Sequence, residues 1–416
     1  MRYWNDELYP DPGNGENMFD TLIDRYGSGS AKWDGAPVIF GEADILPMWV
    51  ADMDFEVAKP ITEAILKRAK HPIYGYETES DSLKQAVVER LYAKFNWRVE
   101  KQWLVFSTGV VHALHMIIMA FTKPGDGVIL QPPVYYPFFS AITHNGCSMI
   151  ENQLIIQNGT YAMDFEGLSE AFRPDCSGLR PEPSRARMML LCSPHNPVGR
   201  VWRREELAEA ARIVLDNNAI IISDEIHAEL LFGSHQHIPT ATLGEEVALN
   251  TITCFAASKT FNLAGLNASV MIIADPKLRN VLRERTAGFL ASPCPFGKAA
   301  MEAAFRHGDP WLKDLLDYLE GNLQFLKEFI AARIPALQVM PIEGTYLVWL
   351  DCSGLGLSDR QLRDFMRKKA KVGLDDGFIF GSGGSGYQRI NIACPRSRLE
   401  EGLRRIEAAL AETASS

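Results

Sequence analysis

The sequence predicts an α/β fold: a mostly parallel central sheet with flanking helices, joined to a smaller C-terminal α/β domain. Three observations lead there. Short continuous apolar runs recur at 127–131, 187–192, 219–223, 250–255 and 269–274, and such runs suit strands covered on both faces, as parallel sheets require. Helical periodicity falls between runs; Glu205 to Asp216 has the length of a crossover between parallel strands. The chain of 416 residues is too long for a single hydrophobic core.

The elements follow in order. Residues 1–45 hold few periodic segments and read as an N-terminal arm packing with the small domain. Helices are expected from Pro60 to about Lys70 and from Ser82 to Phe95, a strand from Trp103 to Phe106, and a helix from Val110 to Phe121. The strand series above comes next. A long helical stretch from about Pro310 to Ala332 leads into the second domain. Strand-like 345–350, helical 358–371, strand-like 388–392 and an amphipathic helix from Arg398 to Ala411 complete it. The expected division is arm 1–45, large domain 46–295 and small domain 296–416. Residues 27–30 and the stretch around 177–185 read as short loops.

Composition narrows the function. With 47% hydrophobic and 23% charged residues, the chain is an ordinary globular protein. A formal charge of −10 argues against nucleic-acid or anionic-membrane partners, which need basic clusters. The polar, acidic N-terminal stretch has no signal-peptide pattern, and no apolar run approaches membrane-spanning length. The seven cysteines form no CxxC pair, which suits a reduced cytoplasm and offers no metal site.

Three residues carry the chemistry. Lys259 follows the apolar run Thr251 to Phe255, between Ser258 and Thr260. Desolvation there lowers a lysine pKa, and a neutral amine is a nucleophile toward aldehydes. Asn196 follows 188–192 in an Asn-Pro-x-Gly turn, and Asp224 ends the run 219–223. Ligands of open α/β sheets bind at the carboxyl ends of strands, so the three can converge on one cleft. This set matches pyridoxal phosphate: a lysine for the aldehyde, an aspartate for the ring nitrogen, an asparagine amide for the phenolic oxygen. Ser107-Thr108-Gly109-Val110-Val111 lies between strand and helix, where free backbone N–H groups can bind a phosphate or an ordinary Ser/Thr cap can sit. Arg389, inside an apolar strand, suits bidentate capture of a carboxylate. Gly381 to Gly386 matches GxGxxG formally, but a strand-like run follows it rather than the helix a dinucleotide fingerprint needs.

Further motifs are Asn17-Met18-Phe19-Asp20, Lys32-Trp33-Asp34, Trp49-Val50-Ala51-Asp52-Met53-Asp54-Phe55, Tyr74-Gly75-Tyr76, Pro132-Pro133-Val134-Tyr135-Tyr136, Asp224-Glu225-Ile226-His227 and Gln388-Arg389-Ile390-Asn391. With the lysine motif, they make nearly the whole chain resemble a fold-type I PLP-dependent enzyme of the class I/II aminotransferase superfamily. It resembles most the cystathionine β-lyase (C–S lyase, MalY/PatB-like) branch. The resemblance implies a PLP-dependent transferase fold and β-elimination from cystathionine or cysteine-type substrates, with an aminotransferase as the rival activity. It implies that Gly109, Val110, Val111 and Ser258 bind the phosphate, and that Tyr135 stacks on the ring. Arg389, with the backbone of Ala51, is implied to grip the substrate carboxylate, and Tyr136 is a second candidate beside it. Tyr76, or Tyr74, would reach the active site of the neighbouring subunit in a homodimer. Two positions depart from the wider aminotransferase pattern: His227 replaces a tyrosine and Asn267 a phosphate-binding arginine. Both fit the lyase branch.

Overall fold

The computed structural model describes residues 17–173 and 186–414. The first 16 residues of the expected arm and the expected loop at 177–185 lie outside them. Seven strands form the larger sheet: β1 (Leu104–Ser107), β2 (Gly127–Leu130), β3 (Ser148–Glu151), β4 (Ala186–Cys192), β5 (Ile220–Asp224), β6 (Thr251–Phe255) and β7 (Ser269–Ile273). Their order is β1-β7-β6-β5-β4-β2-β3. Only β7 runs against its neighbours; every other pair is parallel. The central strands β6 and β7 are buried along their whole length, which explains why the sequence shows continuous apolar runs instead of alternation.

The principal helices are α1 (Lys59–Ala69), α2 (Asp81–Phe95), α3 (Val110–Phe121), α4 (Pro137–His144), α5 (Arg204–Asp216), α6 (Pro276–Arg285), α7 (Pro295–His307), α8 (Asp309–Arg333), α9 (Asp359–Asp364) and α10 (Arg396–Ala414). Local chemistry sets their ends. Ser80 caps α2 by accepting from Leu83 N at 3.0 Å, and Asn96 closes it in the left-handed conformation. No element was expected over α4, α6 or α7. Each starts at a proline, which marks a first helical turn as well as it marks a break. The stretch expected to be helical over 358–371 is α9 followed by a wider turn over Phe365–Lys369.

A second, antiparallel sheet holds β8 (Gln338–Val339), β9 (Leu347–Asp351), β10 (Asp375–Asp376) and β11 (Tyr387–Asn391) in the order β8-β9-β11-β10. Helices α8 and α10 pack on each other beside it, while α7 packs against α1 and α2. The segment leading from the arm joins this second unit: Leu46–Pro47 pairs with Val372–Gly373, and Phe19 lies edge-on to Phe55 and Trp311. Lys32, almost fully buried, donates to Asp54 Oδ2 at 2.8 Å, and Trp33 Nε1 donates to Asp54 Oδ1 at 2.9 Å. Arg25 bridges Asp52 and Asp54 from the same arm. Among the described residues, no helix is long and apolar enough to cross a membrane.

Candidate active site

The carboxyl ends of β1, β4, β5 and β6 open on one cavity of about 270 Å³. Lys259, Asp224, Asn196, His227 and Tyr135 line it. So do Ala51, Ser258 and the helix start Gly109-Val110-Val111. Strand geometry alone delivers this convergence, because parallel strands present their following turns on one edge.

Lys259 Nζ donates to the Ala51 carbonyl at 2.6 Å. Burial lowers its pKa to about 8; Arg389 adds to the effect, while Asp52 and Asp224 oppose it. The amine therefore loses its proton far more readily than a surface lysine. Asp224 ends β5 between two cysteines, since the register sets it opposite Cys192 and Cys254. These poorly solvating neighbours leave its carboxyl with one backbone donor, Ile226 N at 3.2 Å. Burial raises its pKa to about 7, and neighbouring Glu225 pushes the same way. A cationic partner facing this carboxyl would restore its charge.

Gly109 has φ +127°, a conformation that side-chain-bearing residues rarely adopt. It starts α3 with no side-chain cap. Its own N–H is tied to Ser269 Oγ at 3.1 Å. The N–H groups of Val110 and Val111 belong to the first turn and have no acceptor within the helix, an arrangement suited to an anion.

Arg389, on β11, lies outside the cavity lining but reaches it through Asn196: its Nη1 donates to Asn196 Oδ1 at 2.8 Å. Its Nη2 donates to the Trp49 carbonyl at 3.2 Å and to Asp375 Oδ2. The backbone segment that carries Ala51 is held from two sides. Asn391 Nδ2 donates to the carbonyls of Val50 and Asp52, both at 2.6 Å. Asn262, three residues beyond the lysine, accepts from Met53 N at 2.9 Å and donates to the carbonyls of Met53 and Phe55 at 3.1 and 3.0 Å.

The remaining expected residues separate clearly. His227 is buried with Nδ1 unpartnered. Burial, with Lys259 and Arg389 nearby, lowers its pKa well below the usual value, so the imidazole is neutral. Tyr135 lines the cavity and burial pushes its hydroxyl up, which keeps it protonated. Tyr136 is not among the lining residues, but its ring lies 5.5 Å from that of Tyr135, which is, and 5.9 Å from that of Phe380. Tyr76 is fully exposed beside an open groove and does not reach this chain's own cavity. Tyr74 is committed locally: its hydroxyl donates to the Ala69 carbonyl at 2.8 Å. Asn267 does line the cavity, in a left-handed turn.

Sequence reasoning gave no role to His112, Cys192, Ala264 and Ala268 in the lining, and it missed Tyr346. The Tyr346 hydroxyl donates at 2.9 Å to the same Ala51 carbonyl that takes the lysine. Nothing in its apolar, strand-like surroundings distinguishes it from a core aromatic.

This geometry agrees with comparisons to known proteins. The model of the family "Aminotransferase class I and II" matches residues 44–406. The chain belongs to this family. It is 42% identical to the cystathionine beta-lyase PatB of Bacillus subtilis, over 94% of this chain and 99% of the relative. The crystal structure of cystalysin from Treponema denticola, which contains a pyridoxal 5'-phosphate cofactor, superposes with a TM-score of 0.90 at 35% identity, covering 95% of this chain and 99% of that one. The PLP-bound C–S lyase from Staphylococcus hominis gives a TM-score of 0.85 at 30% identity, with coverage of 95% and 98%.

Proposed function

We propose that this protein is a pyridoxal-phosphate-dependent carbon–sulfur lyase. It acts by β-elimination on cystathionine or cysteine-type amino acids and releases a thiol or homocysteine and aminoacrylate, which takes up water to give pyruvate and ammonia. The observation that carries the reading is the shared cavity in which a readily neutralised amine, Lys259, meets a buried carboxyl, Asp224.

The residues present fit the cofactor part by part. Lys259 is the amine for the aldehyde carbon. Asp224 would hold a proton at the ring nitrogen. Asn196, with His227 in the same lining, would donate to the phenolic oxygen. The free N–H groups of Val110 and Val111, in the turn that Gly109 opens, would receive the phosphate together with Ser258, and Tyr135 would fix the ring plane and exclude water. When bound, the cofactor supplies an aldehyde and a heterocycle that accepts the electrons of a Cα–H bond.

The chain's own residues do the rest. Arg389, steadied by Asn196, orients the substrate by its carboxylate. The Lys259 amine, whose proton burial makes easy to lose, would take the Cα proton as general base. The Ala51 carbonyl, 2.6 Å away, offers that amine a polar partner within reach. Asp224 keeps its counter-charge throughout, and the thiolate departs from Cβ.

The active unit is proposed to be a cytoplasmic homodimer divided into the arm, large and small domains given above. Tyr76 then reaches the phosphate of the partner's site; its full exposure supports this role over Tyr74, whose hydroxyl is already bonded.

Incubation with cystathionine tests the activity. Steady pyruvate release with no keto acid added is the expected result. Turnover that requires a keto acid would establish an aminotransferase instead. Lys259→Ala should abolish the yellow colour of the holoenzyme and all turnover; retained turnover refutes the assignment.

A further inference from the structure

Arg389 is 2% exposed and would be a costly isolated charge in an empty site. Asp375 answers it. The two residues stand directly opposite each other across the β10–β11 pair, and Asp375 Oδ2 accepts from Arg389 Nη2. Asp375 is itself 5% exposed, so neither partner has water as an alternative.

A guanidinium offers five N–H donors. Nη1 gives one hydrogen to Asn196 and keeps one. Nε has no partner. Both hydrogens of Nη2 are committed, to Asp375 and to the Trp49 carbonyl. A carboxylate can dock on a guanidinium bidentately in two ways, end-on through Nη1 and Nη2 or side-on through Nε and Nη2. Each uses an Nη2 hydrogen. Two-pronged capture of a substrate carboxylate therefore displaces an existing acceptor. Asp375 is the acceptor whose charge also repels the newcomer.

We propose that Asp375 is a resident competitor for the substrate carboxylate, occupying the Arg389 fork in the empty site and so setting the affinity for amino acids. The inference rests on the reading of Arg389 as the carboxylate grip. Other charges around Asp375 do not replace it in this role. Arg363 and Arg367 bond to the adjacent Asp376, and Gln388 donates to Asp376 as well. Tyr135 and Tyr136 face the pair as neutral hydroxyls.

The probe is 3-(methylthio)propanoate, an S-alkyl cysteine skeleton without the amino group, which binds through its carboxylate and cannot react with an aldehyde. Its dissociation constant is measured by calorimetry on the holoenzyme and on Asp375→Asn and Asp375→Ala. The asparagine keeps the volume and an acceptor but not the charge. Binding is expected to tighten about tenfold in Asp375→Asn, the scale of one charge-assisted hydrogen bond no longer competed for. The KM for cystathionine should fall with it. Unchanged or weaker binding in a folded Asp375→Asn protein overturns the proposal and makes Asp375 a strut for Arg389. Arg389→Ala separates the two readings: it should abolish probe binding, and if it does not, Arg389 is not the grip and the underlying assignment fails. Crystals of the unaltered holoenzyme with the probe give a test free of substitution. Nη2 should have moved from Asp375 to the probe carboxylate; a bidentate probe beside an intact Asp375–Arg389 bond overturns the proposal.

Discussion

Replacing Lys32 by methionine tests how the arm supports the active site. Lys32 Nζ sits 2.8 Å from Asp54 Oδ2 and 3.7 Å from Asp52 Oδ1, and the Lys32 and Asp54 side chains are 1% and 3% exposed. Removing one partner of a buried ion pair costs about 3–5 kcal/mol, because the other charge stays buried without its counter-ion. Here Asp54 retains Arg25 Nη1 at 2.6 Å and Trp33 Nε1 at 2.9 Å, and methionine fills most of the lysine stem. The expected loss is therefore at the low end, about 3 kcal/mol. Urea unfolding at pH 7 and fixed protein concentration measures it. The pH dependence carries its own sign. Burial works against the Asp54 carboxylate, but Lys32, Trp33 and Arg25 overcome it and hold its pKa below the usual value. A lowered folded pKa gives stability that is complete above the unfolded value, about 4, and is lost as pH falls through the folded one. The gap between the native protein and Lys32→Met should accordingly close on acidification. A loss under about 1 kcal/mol at pH 7, well short of the range for a broken buried pair, or a gap that widens in acid, would refute this reasoning.

Other outcomes follow from the same geometry. With a Lys259 pKa of about 8, covalent capture of phosphate-free pyridoxal by the apoprotein should speed up with rising pH and level off above that value; a flat profile from pH 6 to 9 contradicts it. Asp224→Asn should keep the cofactor bound, as judged by absorbance after gel filtration, but lower kcat by about a hundredfold or more, the scale of one lost charge partner in a catalytic site. Unchanged kcat removes Asp224 from the ring nitrogen. Tyr76→Phe, if it lowers turnover at limiting cofactor, should regain activity when mixed with an Arg389→Ala protein, because both defects then share one site of the hybrid dimer and leave the other intact; no recovery would place Tyr76 outside the partner's site.

Much of this site was legible because its residues follow strands. Lys259, Asp224 and Asn196 stand at the ends of apolar runs, and a mostly parallel sheet brings such ends together whatever lies between them. Gly109 was legible for a similar reason: it marks the passage from a strand to a helix start. Asp375 was not, since its meaning depends on a cross-strand register that a short, polar strand does not announce. Tyr346 was hidden because its ring belongs to the core and only its hydroxyl matters. The helices starting at Pro137, Pro276 and Pro295 were missed because proline is ambiguous between a break and a beginning.

The paired asparagine clamps give the 50–55 segment a mechanical consequence. Asn391 grips it from the strand bearing Arg389, and Asn262 grips it from the loop bearing Lys259. The stretch is therefore fixed at both ends, to the strand of Arg389 and to the loop of Lys259, so the Ala51 carbonyl under Lys259 Nζ has its position set from two sides.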